Sequence, residues 1–252
     1  IRNLVGQGAG TMLGRSIWGQ AKKEFGKVQD KNVKEAMVRD FVDFYGKNIV
    51  NESTLINGVK DFLIWAKEKN ISMAVCTNKQ EHLAVDLLKK IGIYDFFEYV
   101  AGHNTFDYCK PDPRHLTSVI EILDGNIKKS LMIGDSETDA NAAKEAGIPV
   151  ILLEDGYTEK NTSEIYHNHL IKDFEGIEKI VLKYFFIAIF ISSNSSTFFE
   201  SKKALPWNSI PISLLISVVS FLFALKKSLP SNKTLPTSGS RRPTRHLRRT
   251  LF

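Results

Sequence analysis

A chain of 252 residues with 25% charged and 43% hydrophobic residues is long enough for one large domain or a domain with a small partner. Its composition excludes a disordered or fibrous protein. The net charge of +6 sits at one end: residues 185–252 hold ten Lys/Arg against one acid (Glu200) and carry +9, so residues 1–184 carry −3. A nucleic-acid partner would have to act through that end alone, which has neither interleaved aromatic residues nor a recognised module, so none is expected. The two cysteines, Cys76 and Cys109, form no CxxC and read as reduced thiols rather than a disulfide framework. No basic, apolar and small-residue succession opens the chain, so a secretory leader is not expected and a cytoplasmic location is. The first residue, Ile1, is not Met, which reads as a fragment or a processed chain.

In chain order, residues 9–20 and 32–49 read as helices, the second with Val33, Met37, Phe41, Phe44 and Tyr45 at helical spacing. They form a helical unit without strands over residues 1–50. From residue 51 the pattern alternates. Helices are expected at 59–69, 80–91, 113–123, 137–146 and 177–183. Short apolar strands are expected at 71–76, 99–101, 130–133, 150–153 and 169–171. Gly147 and Pro149 give the Ala-rich helix at 137–146 a regular stop. This alternation predicts βαβ units and a parallel sheet, an α/β fold over residues 51–184 whose chemistry lies at the carboxyl ends of the strands. Residues 185–252 break the pattern. The run FFIAIFI precedes a Ser/Asn stretch, and the sixteen-residue apolar run at 210–225 falls short of the roughly 20 residues of a spanning helix. We expect an aberrant, poorly ordered extension rather than a membrane anchor.

Three strand ends carry polar residues suited to chemistry. After the strand at 71–76 come Thr77, Asn78 and Lys79: a hydroxyl and a turn of backbone N–H groups can hold a phosphate oxygen, or Thr77 can be an ordinary helix N-cap. In Cys109-Lys110-Pro111-Asp112-Pro113 the prolines fix a loop in which Lys110 can offer a point charge to a phosphate, or lie in solvent. In Gly134-Asp135-Ser136-Glu137-Thr138-Asp139 the two aspartates can hold Mg²⁺, a hard cation with oxygen ligands. Ser136 to Asp139 equally matches a capping box, which leaves Asp135 unexplained. Gly6-Gln7-Gly8-Ala9-Gly10 is no dinucleotide fingerprint, since Thr11 follows and no strand precedes it. His167 and His169 lack further ligands and read as surface loop.

The order of these groups resembles the second, third and fourth motifs of the haloacid dehalogenase superfamily. VCTNK, KPDP, IGDSETDANAAKEAGIP and EDGYTE are similar to the corresponding segments of phosphoglycolate phosphatases, over about residues 1–183. The resemblance implies a small helical cap in residues 1–50, with Val5 to Ala9 similar to its glycine-containing segment. Gly6 and Gly8 would let backbone approach a substrate, and Arg15 is a weaker candidate for a substrate carboxylate. The implied activity is Mg²⁺-dependent hydrolysis of a small phosphorylated metabolite. Thr77 and Asn78 would bind the phosphoryl group, Lys110 would neutralise it, Asp135 would coordinate Mg²⁺, and Asp139 would support the metal directly or through water. The family's first motif, an apolar strand with DxDGT whose first Asp is the nucleophile, has no match here. Asp40 and Asp43 have the wrong spacing, and Asp107 follows no apolar strand. That motif is expected upstream of Ile1, and with it the central strand of the sheet. We therefore expect a gap between the strands at 71–76 and 130–133, or less readily FFIAIFI within it, and an inactive, unstable chain.

Overall fold

The computed structural model describes residues 31–51, 53–156, 158, 160–193 and 213–216. Within them the expected alternation is present almost element for element. Helix α1 (Lys31–Lys47) precedes α2 (Val59–Glu68), β1 (Ser72–Cys76), α3 (Glu81–Lys90), β2 (Tyr99–Ala101), α4 (Arg114–Ile122), β3 (Ser130–Gly134), α5 (Glu137–Ala146), β4 (Val150–Leu153), β5 (His169–Ile171), α6 (Ile177–Ser193) and β6 (Ser213–Ile216). The strands form one six-stranded sheet of order β2-β1-β6-β3-β4-β5, every pair parallel.

The side chains alternate across this sheet with the period of two that a pleated strand imposes. Met73 and Val75 of β1, Leu131 and Ile133 of β3 and Ile216 of β6 join one buried cluster. There they meet Phe62 and Leu63 of α2, Leu87 and Leu88 of α3, and Val181 and Phe185 of α6. Ala74, Met132, Val150 and Leu215 point the other way, onto Leu116, Val119 and Ile120 of α4 and Ala142 and Ala143 of α5. Helices therefore cover both faces, as an all-parallel sheet requires. Helix α1 reaches this body through Val42 and Tyr45, which pack on the first cluster beside Ile49.

The expected gap is not there. Ser213–Ile216 lies between β1 and β3, with Ala74, Leu215 and Met132 level across three strands. Two inner strand edges left bare would each present unpaired N–H and C=O groups. An apolar segment in the right direction satisfies both, and Leu215 and Ile216 are fully buried. FFIAIFI does not serve this purpose, because it continues α6 through the boundary expected at residue 184. The expected helix at 9–20, Gly6, Gly8, Arg15 and most of the basic end lie outside the described residues. Among the described residues, no helix is long and apolar enough to cross a membrane.

Candidate active site

Parallel strands place β1, β3 and β6 with their carboxyl ends together, and the three polar segments meet there. Thr77 is 1% exposed. Its N–H donates to the Ala101 carbonyl at 2.9 Å, and its Oγ1 accepts from the Lys79 N–H at 3.1 Å. The hydroxyl thus closes a short turn ahead of α3 rather than capping it: the residue before Glu81 is Gln80, which makes no side-chain cap. Asn78 donates its amide to the Lys110 carbonyl at 2.8 Å, so it ties the first loop to the second.

Lys110 is not a solvated loop lysine. It is 3% exposed, its Nζ donates to the Cys76 carbonyl at 2.5 Å, and it forms an ion pair with Asp139 Oδ1. The loop that presents it turns through a cis Lys110–Pro111 peptide. Pro113 then precedes α4, and its preset φ suits a helix start. A Lys–Asp pair this deep is stable only if the remaining polar atoms are also satisfied, and those of Asp139 are. Asp139 Oδ2 accepts from the Asp135 N–H and the Ser136 N–H, both at 3.1 Å, and from Ser136 Oγ at 2.7 Å.

The capping box expected at Ser136 and Asp139 is therefore real, and it changes the reading of Asp139. A carboxylate offers about four lone-pair sites. Oδ2 takes the two N–H groups and the hydroxyl and Oδ1 takes Lys110 alone, so these bonds leave one lone pair of Oδ1 open. That site leaves the expected support of a metal by Asp139, directly or through water, compatible with its bonds. Its place in the structure is that of counter-ion to Lys110 and clasp of the β3–α5 turn. Asp135, 3% exposed at the end of β3, is the carboxylate whose position helix capping does not explain. Glycines make this turn possible: a Cβ on Gly134 would lie 2.5 Å from Asp139 Cβ, and one on Gly156 would lie 1.7 Å from the Asp135 carbonyl oxygen.

No group of three or more His, Cys, Asp or Glu converges as a metal centre among the described residues. Mg²⁺ does not need one, since it is commonly held by one or two carboxylates together with water and phosphate oxygens. Asp135 fits as one such ligand, with the Asp139 carboxylate four residues further on.

Two neighbours were not legible in the sequence. Burial pushes the Cys76 thiol up to about 12, so beside Lys110 it stays a neutral, unreactive group. His115 on α4 is fully buried against Phe106, with Nε2 3.2 Å from the Gly102 carbonyl oxygen. Burial first, and the Lys110 charge second, lower its pKa to about 4. A lone histidine in an amphipathic helix carries no sign of this in sequence.

A family model for haloacid dehalogenase-like hydrolases matches residues 14–153, and the chain belongs to that family. It is similar to the phosphoglycolate phosphatase of Mesorhizobium japonicum, 34% identical over 177 residues, which are 70% of this chain and 76% of the relative. The phosphoglycolate phosphatase of Agrobacterium fabrum is 34% identical over 188 residues, 73% of this chain and 78% of that protein. A crystal structure of a predicted phosphoglycolate phosphatase from Haemophilus somnus superposes with a TM-score of 0.64 at 28% identity, covering 71% and 80% of the two chains. CbbY from Rhodobacter sphaeroides, solved with phosphate, shares the fold with a TM-score of 0.58 at 21% identity over 70% and 78%.

Proposed function

We propose that this chain carries the phosphate- and Mg²⁺-binding part of a phosphatase for small phosphomonoesters, with 2-phosphoglycolate, hydrolysed to glycolate and phosphate, as the substrate. The observation that carries this is the continuous linkage Cys76–Lys110–Asp139–Asp135. It brings the loop after β1, the Lys110 loop and the β3–α5 turn to one end of the sheet. In this reading the Thr77 hydroxyl donates to a transferring phosphoryl oxygen while its Oγ1 accepts from the Lys79 N–H, and Asn78 binds beside it and ties the loop to Lys110. Lys110, aimed by Asp139, neutralises charge that grows as the ester bond breaks. Mg²⁺, with Asp135 as a ligand, would supply further positive charge to the phosphoryl oxygens. The relatives' names support the substrate assignment. A sugar-phosphate or pyrophosphate phosphatase of the same family is the nearest alternative. In the same reading the protein works in the cytoplasm, and residues 1–50 form a small helical cap.

The nucleophilic aspartate, which would form an aspartyl-phosphate, is assigned to a segment upstream of Ile1. A specific observation favours a second reading for the chain as it stands. The central position is taken by β6, and no Asp or Glu follows Glu200 in the sequence. The strand that fills the sheet therefore has no carboxylate to place at its end, and the chain binds phosphate without cleaving esters. The test has two arms. The 252-residue chain should bind inorganic phosphate, detected by titration calorimetry in Mg²⁺, yet release none from 2-phosphoglycolate. The chain extended by its upstream coding segment should release phosphate, and Asp135→Ala should abolish that release. An extended chain that contains DxDGT and hydrolyses no phosphoester would refute the enzyme reading.

A further inference from the structure

The peptide unit joining Cys76 to Thr77 closes the carboxyl end of β1, between β2 and β6. Its N–H, on Thr77, donates to the Ala101 carbonyl of β2 at 2.9 Å. In a planar trans peptide the C=O points opposite to the N–H, so the Cys76 carbonyl points to the β6 side. A neighbouring strand ordinarily supplies the donor at such a carbonyl. Here Lys110 Nζ supplies one, at 2.5 Å. The described β6 pairs as far as Ile216, level with Val75 of β1 and Ile133 of β3, one residue before Cys76 and Gly134. The ammonium therefore takes up the ladder where these pairs end. On its other side it pairs with Asp139, whose Oδ2 accepts from the Asp135 N–H at 3.1 Å, one residue beyond β3. Lys110 thus ties the end of β1 to the end of β3 across the end of β6. These bonds use two of its three N–H donors. The strand beneath it is short: β6 has four residues, and residues 194–212 separate it from α6. Its seat consists of two parallel ladders and the burial of Leu215 and Ile216 on opposite faces of the sheet.

We propose that β6 regulates the anion site through Lys110: it leaves its slot ahead of global unfolding, and an anion held by Lys110 and Thr77 locks it in. This rests on the phosphatase reading above and deepens it. With β6 seated, β1 and β3 stand two strand spacings apart, roughly 10 Å, and the Cys76–Lys110–Asp139 bridge spans that distance. With β6 out, the spacer is gone and the bridge loses the span it fits. An anion on the third N–H donor of Lys110 holds the ammonium in its bridging position and so holds the slot at the width of one strand. By linkage the effect runs both ways, and seating β6 raises the affinity for the anion as much as the anion favours the seated strand.

The test is hydrogen exchange read by mass spectrometry on the full chain in Mg²⁺, with and without inorganic phosphate, beside calorimetric titration with the same ion. Without phosphate, the amides of β6 should exchange about tenfold faster than those of β4, as a unit that opens by itself does. That order reverses the usual one, in which a central strand is the best protected. Phosphate should slow β6 by about tenfold, the usual size of a coupling between two sites, and β4 by about twofold at most. Leu215→Ala, which loosens β6, should weaken phosphate binding by about threefold or more. Leu215→Val gives the same comparison, with a smaller loss, should the Ala variant not fold. Phosphate that binds and slows β6 and β4 alike, or slows neither, overturns the coupling and leaves the phosphate site standing. Native phosphate affinity in a folded Leu215 variant overturns it as well. A native chain that binds no inorganic phosphate overturns the phosphatase reading and the coupling with it.

Discussion

Strands β1 and β3 flank the same neighbour, β6, yet their carboxyl ends are built from opposite materials. Beyond β1 the groups assigned to the phosphate are neutral: the Thr77 hydroxyl and the Asn78 amide, held by a short turn. Beyond β3 they are charged and buried, with Asp139, Lys110 and Asp135 linked through Ser136. A neutral turn can lose one bond and relax. A buried charge network cannot lose a member without stranding another. The difference predicts where the molecule breaks.

The largest effect should come from the charged side. Lys110→Ala leaves the Asp139 carboxylate buried without its counter-ion, which costs about 3–5 kcal/mol. Urea unfolding monitored by circular dichroism measures it. The double variant Lys110→Met/Asp139→Leu should recover much of that loss, because two well-packed apolar groups replace a pair rather than half of one. A single variant no worse than the double one would mean the pair is not buried in solution.

The shared neighbour comes next. Leu215→Ala empties a fully buried site facing α4 and α5, and such truncations cost about 2–5 kcal/mol. The same urea experiment reads it. A loss near zero would mean β6 is not seated between β1 and β3, and the two strand ends would then border an open slot.

His115 touches both sides: it holds the Gly102 carbonyl at the end of β2, and the Lys110 charge helps lower its pKa to about 4. The folded value lies below the model-peptide value of 6.5, so the unfolded chain binds the proton first. The contribution is complete above pH 6.5 and is lost as the pH falls towards 4. A shift of this size is worth about 3 kcal/mol. Stability measured across pH 7 to 4 should fall accordingly, and His115→Gln should flatten that segment of the curve.

How much of this was readable beforehand follows from the kind of signal involved. The helices and strands of residues 59–183 were legible because period and punctuation agree. The Leu83, Leu87 and Leu88 face, the buried run of β3, and Gly147 with Pro149 after α5 each mark one element. Thr77 and Asp135 were legible as candidates because they follow apolar runs, Lys110 because prolines fix its loop, and Asp139 by its spacing from Asp135. Their division of labour was not. That Asp139 is spent on Lys110 depends on a contact between residues 29 apart in sequence, which no local pattern encodes. The place of β6 was hidden for the same reason. Its four residues read as one stretch of a longer apolar run, and only the two open edges of β1 and β3 select them. His115 was passed over because burial is a property of the packed molecule.

The smallest predicted effect separates the two strand ends most cleanly. Ser136 accepts the Asp139 N–H at 3.3 Å and donates to Asp139 Oδ2 at 2.7 Å. Ser136→Ala removes a helix cap and one of the four groups around Asp139, at a cost of about 1 kcal/mol. Thr77→Ala removes one turn bond, also worth about 1 kcal/mol. The two losses in stability are alike, and ligand affinity tells them apart. Thr77→Ala should weaken inorganic phosphate binding by tenfold or more, since it deletes a group that holds the anion. Ser136→Ala should weaken it by less than threefold, because Lys110 is still held by Asp139 Oδ1 and the Cys76 carbonyl. Equal losses of affinity would mean that the charged side holds the phosphate as directly as the neutral turn does, and the contrast between the two strand ends would then be one of construction and not of role.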